Sequence, residues 1–393
     1  MASDTRRPRI VTAIGGSHRT SPTTVDGVRS TMADAIAQNE PVRIVGAETW
    51  RDGGPPVDAT RTLSLAGLTG IIAYVPGDLT ITTWAGTTLA ELAHVTAAHG
   101  QWLGLDPAGA RTGTIGATLS TASAGPLAHA FGTPRDLVLG LDAVTGYGDV
   151  VKPGGRVVKN VAGFDLVRLF TGSWGTLGAI TSATLRLRAL PVHDATIAME
   201  VSDAAPLATL IEALRRNTLS LLACEWVDGV TARALDVSDG ADVILLRIGG
   251  TDAFVRGQRA VLDAITSCRP CDPATWGLLA ALDRDASAVV RLSGSVSSLP
   301  ARIARIRASL TSTPTASIHA SIARGIVRVI VSGDAGAARD LLQRRLADEQ
   351  RIVERLPAGW WAAEPDPFTI GLSGRIRAAF DPQQLCNRRT ADA

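Results

Sequence analysis

No uninterrupted apolar run in this sequence reaches the roughly 20 residues that a membrane-spanning helix needs, so direct membrane insertion is not expected. An excess of charge of one sign is also missing: 39 basic side chains stand against 37 acidic ones, a net charge of +2. No basic run is interleaved with aromatics, so nucleic acid is not an expected partner. The basic set is arginine-heavy and compatible with small anionic molecules. Cysteine is scarce, with Cys224, Cys268, Cys271 and Cys386 only. The pair Cys268 and Cys271 lacks the second half of a zinc site, and an iron–sulfur cluster needs more thiolates at the right spacing. Two reduced thiols in a loop are the simpler expectation, and no metal is expected. The N-terminal MASDTRRPRIVTAIGG has only a very short apolar run after its arginines. Residues 1–22 therefore read as a mobile tail rather than a signal peptide, on a cytoplasmic protein.

What is present suffices for two or three domains: 393 residues, 46% hydrophobic and 19% charged. Val25, Val28, Met32 and Ile36 recur at helical spacing. Residues 41–45 read as a buried strand ending at Gly46, and the turn Ala47, Glu48, Thr49 can aim backbone N–H groups at an anion. Further strands are expected at 63–65, 70–75 and 79–84, then a helix capped by Thr88 that stops at Gly100. Between Ala108 and Gly125 small and hydroxyl residues dominate, too few large side chains to build a core. Close backbone approach and many short donors suit a pyrophosphate, and Ile115 and Leu119 anchor the segment; a flexible surface loop is the alternative.

The stretch 159–184 is the most informative. A short helical run with Leu166, Leu169 and Phe170 on one face is followed by Gly172, Gly175 and Gly178 at even spacing, then by an alternating strand. A Rossmann fingerprint runs strand, glycines, helix, so this order is a poor fit to that site. From spacing alone a packing loop and a ligand loop are equally open. Beyond Pro191 the texture changes. Strand-like runs at 197–201, 243–248, 289–292 and 326–331 alternate with helical runs at 207–214, 256–265, 299–310 and 337–347. That pattern suits helices on one face of an antiparallel sheet. No internal repeat is evident. Trp360 and Trp361, followed by Pro365 and Pro367, read as a connector to a tail of short helix and loop.

In this order, residues 45–49, 67–70, 85–92, 113–117, 157–166, 172–178 and 380–382 resemble the p-cresol methylhydroxylase/vanillyl-alcohol oxidase superfamily of FAD flavoproteins. More narrowly they resemble the FAD-binding subunit family of bacterial glycolate oxidase (glycolate dehydrogenase). The likeness is good from about Val42 to Pro191, faint up to Gly374, and returns at the tail. It implies an α+β protein: a two-subdomain FAD-binding domain over 23–192, an α+β cap or substrate domain over 193–374, and a tail over 375–393 returning to the first domain. It also implies that Gly46, Ala47, Glu48 and Thr49 cradle the FAD pyrophosphate from one side. Thr112, Gly113, Thr114, Gly116 and Ala117 would do so from the other, with Pro107, Ser120 and Gly125 in the same region, and Gly178 and Ile180 along the adenosine half. Ala117 stands where the family usually has a second glycine. Covalent members use a histidine in the first loop, and none stands at 47–49, so non-covalent FAD is expected. Related 2-hydroxy-acid dehydrogenases carry paired histidines and acidic residues in a cap motif. The nearest stretch, 319–325, keeps His319 alone, the one catalytic candidate, although a lone strand histidine is more often structural.

The activity implied is oxidation of a 2-hydroxy acid to a 2-oxo acid by hydride transfer to FAD. A second flavin subunit and an iron–sulfur subunit are the implied partners, able to hold the chain at the inner face of a membrane. Two alternatives stand beside it: a stand-alone flavin oxidase or dehydrogenase for a sugar lactone, alditol or hydroxy acid, and a non-catalytic scaffold subunit.

Overall fold

A computed structural model of the chain describes residues 18–50, 53–155, 165–310, 315–333, 349–364 and 371–389. Residues 157–164 of the stretch that carries the resemblance, the expected helical run at 337–347 and the pair Pro365 and Pro367 lie outside the described residues.

The N-terminal half is built on two sheets. A three-stranded parallel sheet runs His18–Thr20, Arg61–Ser64, Val42–Val45 in spatial order. The helix Val25–Gln38 buries Val28, Met32 and Ala35 against Val42, Leu63 and Leu65, the face its spacing predicts. Thr24 Oγ1 accepts the Gly27 N–H to start the helix, and Asn39 stops it in the left-handed region at φ 50°. Residues 18–20, assigned by the sequence to a mobile tail, are a strand paired with residues 61–63. Pairing to a partner forty residues away leaves no local sign.

A five-stranded antiparallel sheet follows, ordered Ile71–Val75, Thr80–Trp84, Gly178–Arg186, Val138–Thr145, Val150–Val151. Helices Leu89–Ala97 and Ile115–Thr121 pack on it around Ile81, Leu92, Ile115, Leu119, Phe170 and Leu185. The first carries a full capping box between Thr88 and Glu91.

The cap is one eight-stranded antiparallel sheet. Its spatial order is Cys268–Cys271, His193–Glu200, Val243–Gly250, Ala223–Val227, Ala316–Ser321, Ile326–Ser332, Ala286–Ser293, Arg351–Arg355. The first four strands and the last four have the same internal order, 4-1-3-2 and then 2-3-1-4, joined edge to edge by Ala223–Val227 and Ala316–Ser321. A repeat of topology is therefore present that the sequence does not betray. Cys268–Cys271 is an edge strand rather than a loop. Three residues along a strand put the two thiols on opposite faces and roughly 10 Å apart, beyond disulfide reach.

Side-chain alternation gives this sheet two different faces. Cys224, Trp226, Ile318, Ala320, Val327, Val329, Val290 and Leu292 meet the helices Leu207–Arg216 and Leu299–Leu310 through Leu210, Leu214, Ile303 and Ile306. The intervening residues Glu225, His319, Ser321, Arg328 and Arg291 turn the other way, toward the N-terminal half. The halves are also tied through the backbone, Gly109 N–H to Ala280 O at 2.7 Å and Gly54 N–H to Glu354 O at 2.8 Å. The helix Gly371–Phe380 leads a final segment back to the N-terminal half, where Val42 N–H meets Leu385 O at 2.8 Å.

Candidate functional site

Two loops face each other at the end of the parallel sheet. A methyl group on Gly46 would overlap Thr114 Oγ1 and stand 3.3 Å from Ala117 Cβ, and one on Gly113 would stand 3.3 Å from Thr49 Oγ1. The structure thus brings Gly46, Thr49, Gly113, Thr114 and Ala117 together, although more than 60 residues separate the loops. Thr114 is buried and caps the helix Ile115–Thr121, its Oγ1 accepting the Ala117 N–H at 3.4 Å. Glu48 takes φ 54°, which opens the turn, and its carboxylate leaves the loop to pair with Arg19 at 2.7 Å. Backbone N–H groups of Ala47, Glu48 and Thr49 meet no acceptor among the described residues. Thr112 lies in the same turn as Gly113, which is closed by Gly113 N–H to Ala110 O at 2.9 Å.

The glycine-rich loop forms a third wall. Gly172 N–H donates to Leu119 O at 2.9 Å and Trp174 N–H to Ser120 O at 2.8 Å, so Ser120 joins this loop to the helix end. Gly172, Trp174, Gly175 and Gly178 all have positive φ, a backbone path that side chains disfavour. Gly178 sits hard against Val144 O, and Ile180 is buried in the sheet core, so only its main chain is available to a ligand. Gly116 faces elsewhere than its motif suggests. Its N–H bonds Ala85 O at 2.8 Å, and a Cβ would come 2.7 Å from Ala85 Cβ, so its small size serves packing on that turn. Pro107 and Gly125 lie apart from the first loops. Gly125 packs on the Asp106 main chain, beside the cap.

Those loops fit a dinucleotide's pyrophosphate. Glycines stand where a Cβ would push the walls apart, three successive N–H donors await an acceptor, and no acidic side chain of the turn points in. The non-covalent expectation rests on the same turn, which offers no histidine.

A second, polar cavity opens where segment 106–126 meets the outward face of the cap sheet, lined among others by Asp106, Glu225, Arg291, His319, Ser321 and Arg324. Arg328 bonds Asp283 and Glu354, each at 2.8 Å, and Arg291 lies 3.3 Å from the same Glu354. His319 Nδ1 is 3.3 Å from Glu225 Oε2. Its Nε2 and the Ser321 Oγ are both buried with no hydrogen-bond partner among the described residues. Asp106 is pushed up to about 7 by burial, against the opposing Leu127 N–H, which lies 3.0 Å from its Oδ1. Burial lowers His129, beside Glu225, and lowers Arg324. No group of three or more His, Cys, Asp or Glu among the described residues is arranged to hold a metal.

Sequence reading found His319 in this cavity and missed Asp106, Glu225, Ser321, Arg324 and Arg328. A signal existed for two of them: Glu225 and Arg328 interrupt apolar strand runs, ACEWV and IVRVIVS, where a charge has to meet something.

Comparison with known proteins agrees with the geometry. Residues 17–154 match the family model of the FAD binding domain. The chain is 34% identical over 200 residues to the mitochondrial D-lactate dehydrogenase [cytochrome] of Arabidopsis thaliana, covering 48% of this chain and 34% of that protein. It is 35% identical over 169 residues to glycolate oxidase subunit GlcE of Escherichia coli (strain K12), covering 43% of this chain and 48% of that one. The chain thus spans between a third and a half of the length of these relatives. Among solved structures, p-cresol methylhydroxylase with substrate bound superposes with a TM-score of 0.73 at 17% identity, covering 93% of this chain and 86% of that chain. That likeness shows the fold. The resemblance read from the sequence, the p-cresol methylhydroxylase-type fold and FAD as cofactor are all borne out. No described helix is long and apolar enough to cross a membrane.

Proposed function

We propose, on the premise that residues 17–154 are an FAD-binding domain, that this chain is an FAD-dependent oxidoreductase converting a 2-hydroxy acid into a 2-oxo acid. The observation that carries the reading is the polar cavity under the cap, with its buried, uncommitted His319 Nε2 backed by Glu225. The names of its relatives, a glycolate oxidase subunit and a D-lactate dehydrogenase, point to the same substrate class.

The three glycine-containing loops at Gly46–Thr49, Thr112–Ala117 and Gly172–Gly178 hold the pyrophosphate and adenosine half. FAD, when bound, supplies the acceptor for the substrate's α-hydrogen as hydride. His319 takes the hydroxyl proton at Nε2. Glu225, 3.3 Å from Nδ1, holds the tautomer that leaves Nε2 free to accept. The cap sheet closes over the site and keeps water from the reacting carbon. In this reading the chain works as one subunit beside a second flavin subunit and an iron–sulfur subunit that carries electrons away, as the relative named a subunit suggests.

A visible spectrum of the purified chain, followed by anaerobic addition of glycolate and the lactate enantiomers, tests this. The flavin band is expected to be present and to bleach with at least one acid, and His319→Gln is expected to keep the band and slow bleaching by about 100-fold or more. Absence of flavin bands even after adding FAD overturns the cofactor reading. A stable flavin that no 2-hydroxy acid bleaches, alone or with its partner subunits, overturns the substrate reading.

A further inference from the structure

We propose that Arg324 is the carboxylate anchor of the cavity and that it is the single lining arginine without an ion pair among the described residues, so that the ligand is a 2-hydroxymonocarboxylate and not a dicarboxylate. This rests on the substrate reading above and sharpens it.

Arg324 stands in the tight turn between Ala316–Ser321 and Ile326–Ser332. That turn is held firmly. Gly325 takes φ 61° where a Cβ would run into Gly294 O, and Arg302 Nη1 donates to Gly325 O at 3.0 Å. The guanidinium lines the cavity, where burial weakens its charged form more than the nearby Glu225 supports it, and it has no ion pair or side-chain hydrogen bond with any described residue. A desolvated guanidinium with five donors and no acceptor is costly unless a ligand supplies one.

Among the described residues, the other two lining arginines already have carboxylate partners. Arg328 is shared by Asp283 and Glu354, Arg291 leans on Glu354, and Glu225 faces His319. Burial raises Asp106 to about 7, so it is mostly protonated in acid solution and is no fixed counter-charge to Arg324 there. One carboxylate therefore finds one lining arginine that has no ion pair among the described residues. A second carboxylate would find only arginines already paired, next to Glu225 and Glu354, and would remain buried without a partner.

A hydroxyl and an accepting ring nitrogen complete the match. Ser321 Oγ and His319 Nε2 are buried, unpartnered and line the same cavity as Arg324. With the carboxylate on Arg324 and Ser321, the adjacent hydroxyl of a 2-hydroxy acid reaches His319 Nε2. A guanidinium grips both carboxylate oxygens at once, which fixes the orientation of the neighbouring carbon.

The test is titration calorimetry on the FAD-loaded full chain with oxamate, an unreactive monocarboxylate, and with 2-oxoglutarate, a dicarboxylate. Wild type is expected to bind oxamate at least about tenfold more tightly than 2-oxoglutarate. Arg324→Met is expected to weaken oxamate by about 10- to 100-fold and to erase that preference, while FAD content and Tm stay unchanged because the side chain has no hydrogen-bond or ion-pair partner among the described residues. Arg324→Lys keeps the charge and is expected to recover part of the loss, which also covers the case in which the methionine variant folds poorly. Oxamate binding equal in wild type and Arg324→Met, no oxamate binding by wild type, or equal binding of 2-oxoglutarate overturns the proposal. Arg324-dependent oxamate binding without flavin bleaching by any 2-hydroxy acid would instead remove the oxidation chemistry and leave the anchor standing.

Discussion

Gly46→Ala probes the contact between the two loops directly. The added methyl would overlap Thr114 Oγ1 and crowd Ala117 Cβ at 3.3 Å. Relief comes in one of two ways. The loops separate, an overpacking strain of about 1–3 kcal/mol. Or Thr114 rotates and gives up its bond to Ala117 N–H, a lost helix cap of about 0.5–2 kcal/mol. Either movement displaces the N–H groups proposed to meet the pyrophosphate, so FAD affinity is expected to fall by about tenfold or more. The assay is fluorescence titration of deflavinated protein with FAD, paired with Tm. Thr114→Ala removes the obstructing oxygen. The Gly46→Ala, Thr114→Ala double variant is therefore expected to lose less than the sum of the singles, with a coupling of about 0.5–3 kcal/mol. Strict additivity, or an unchanged FAD affinity in Gly46→Ala, would refute the claim that these loops form one site. The same reasoning revises the role of Gly116, where a larger side chain meets Ala85 and is expected to lower Tm before it touches the ligand.

Asn387 joins two walls of that site: Ile44 N–H donates to its Oδ1 and its Nδ2 donates to Trp174 O, both at 2.7 Å. Asn387→Ala leaves both backbone groups unpaired and is expected to cost about 2–4 kcal/mol by urea unfolding, with loss of FAD retention. Arg328→Met strands Asp283 and Glu354 without their cation, an expected cost of about 3–5 kcal/mol by the same measurement, with Arg328→Lys milder. Asp106 gives a pH dependence. Its folded-state value of about 7 lies above the ordinary one of 3.8, so the folded chain holds a proton that the unfolded chain has released. Its contribution is full below about pH 4 and declines up to about pH 7. Asp106→Asn is expected to flatten that part of the stability profile, and a variant with the wild-type slope would contradict the assignment.

Much of the N-terminal half was legible from local pattern. Helix Val25–Gln38 follows from the spacing of Val28, Met32 and Ile36, and the glycine loops from residues that allow positive φ or close approach. The cap was legible in texture only. Four of its strands were placed and four were not, because Ala223–Val227 and Ala316–Ser321 are short apolar runs whose pairing spans about ninety residues. Of the cavity residues only His319 was found, since the sequence marks chemistry by residue type and cannot say which face of a strand it lies on once both faces are covered.

The sequence by itself pointed to the cofactor, through the resemblance that its loop motifs carry. Those motifs are short backbone segments, so the glycines at 46, 113, 172, 175 and 178 are legible without reference to anything distant, although their spacing alone left a packing loop and a ligand loop equally open. The cavity chemistry was decided by tertiary structure alone. Glu225, His319, Ser321, Arg324 and Asp106 come from three separate stretches of chain. They share one environment only because an antiparallel sheet turns alternate residues to one face and the N-terminal half covers that face. Burial then does what residue type cannot: it raises Asp106, leaves His319 Nε2 unpartnered, and leaves Arg324 the one lining arginine without an ion pair among the described residues.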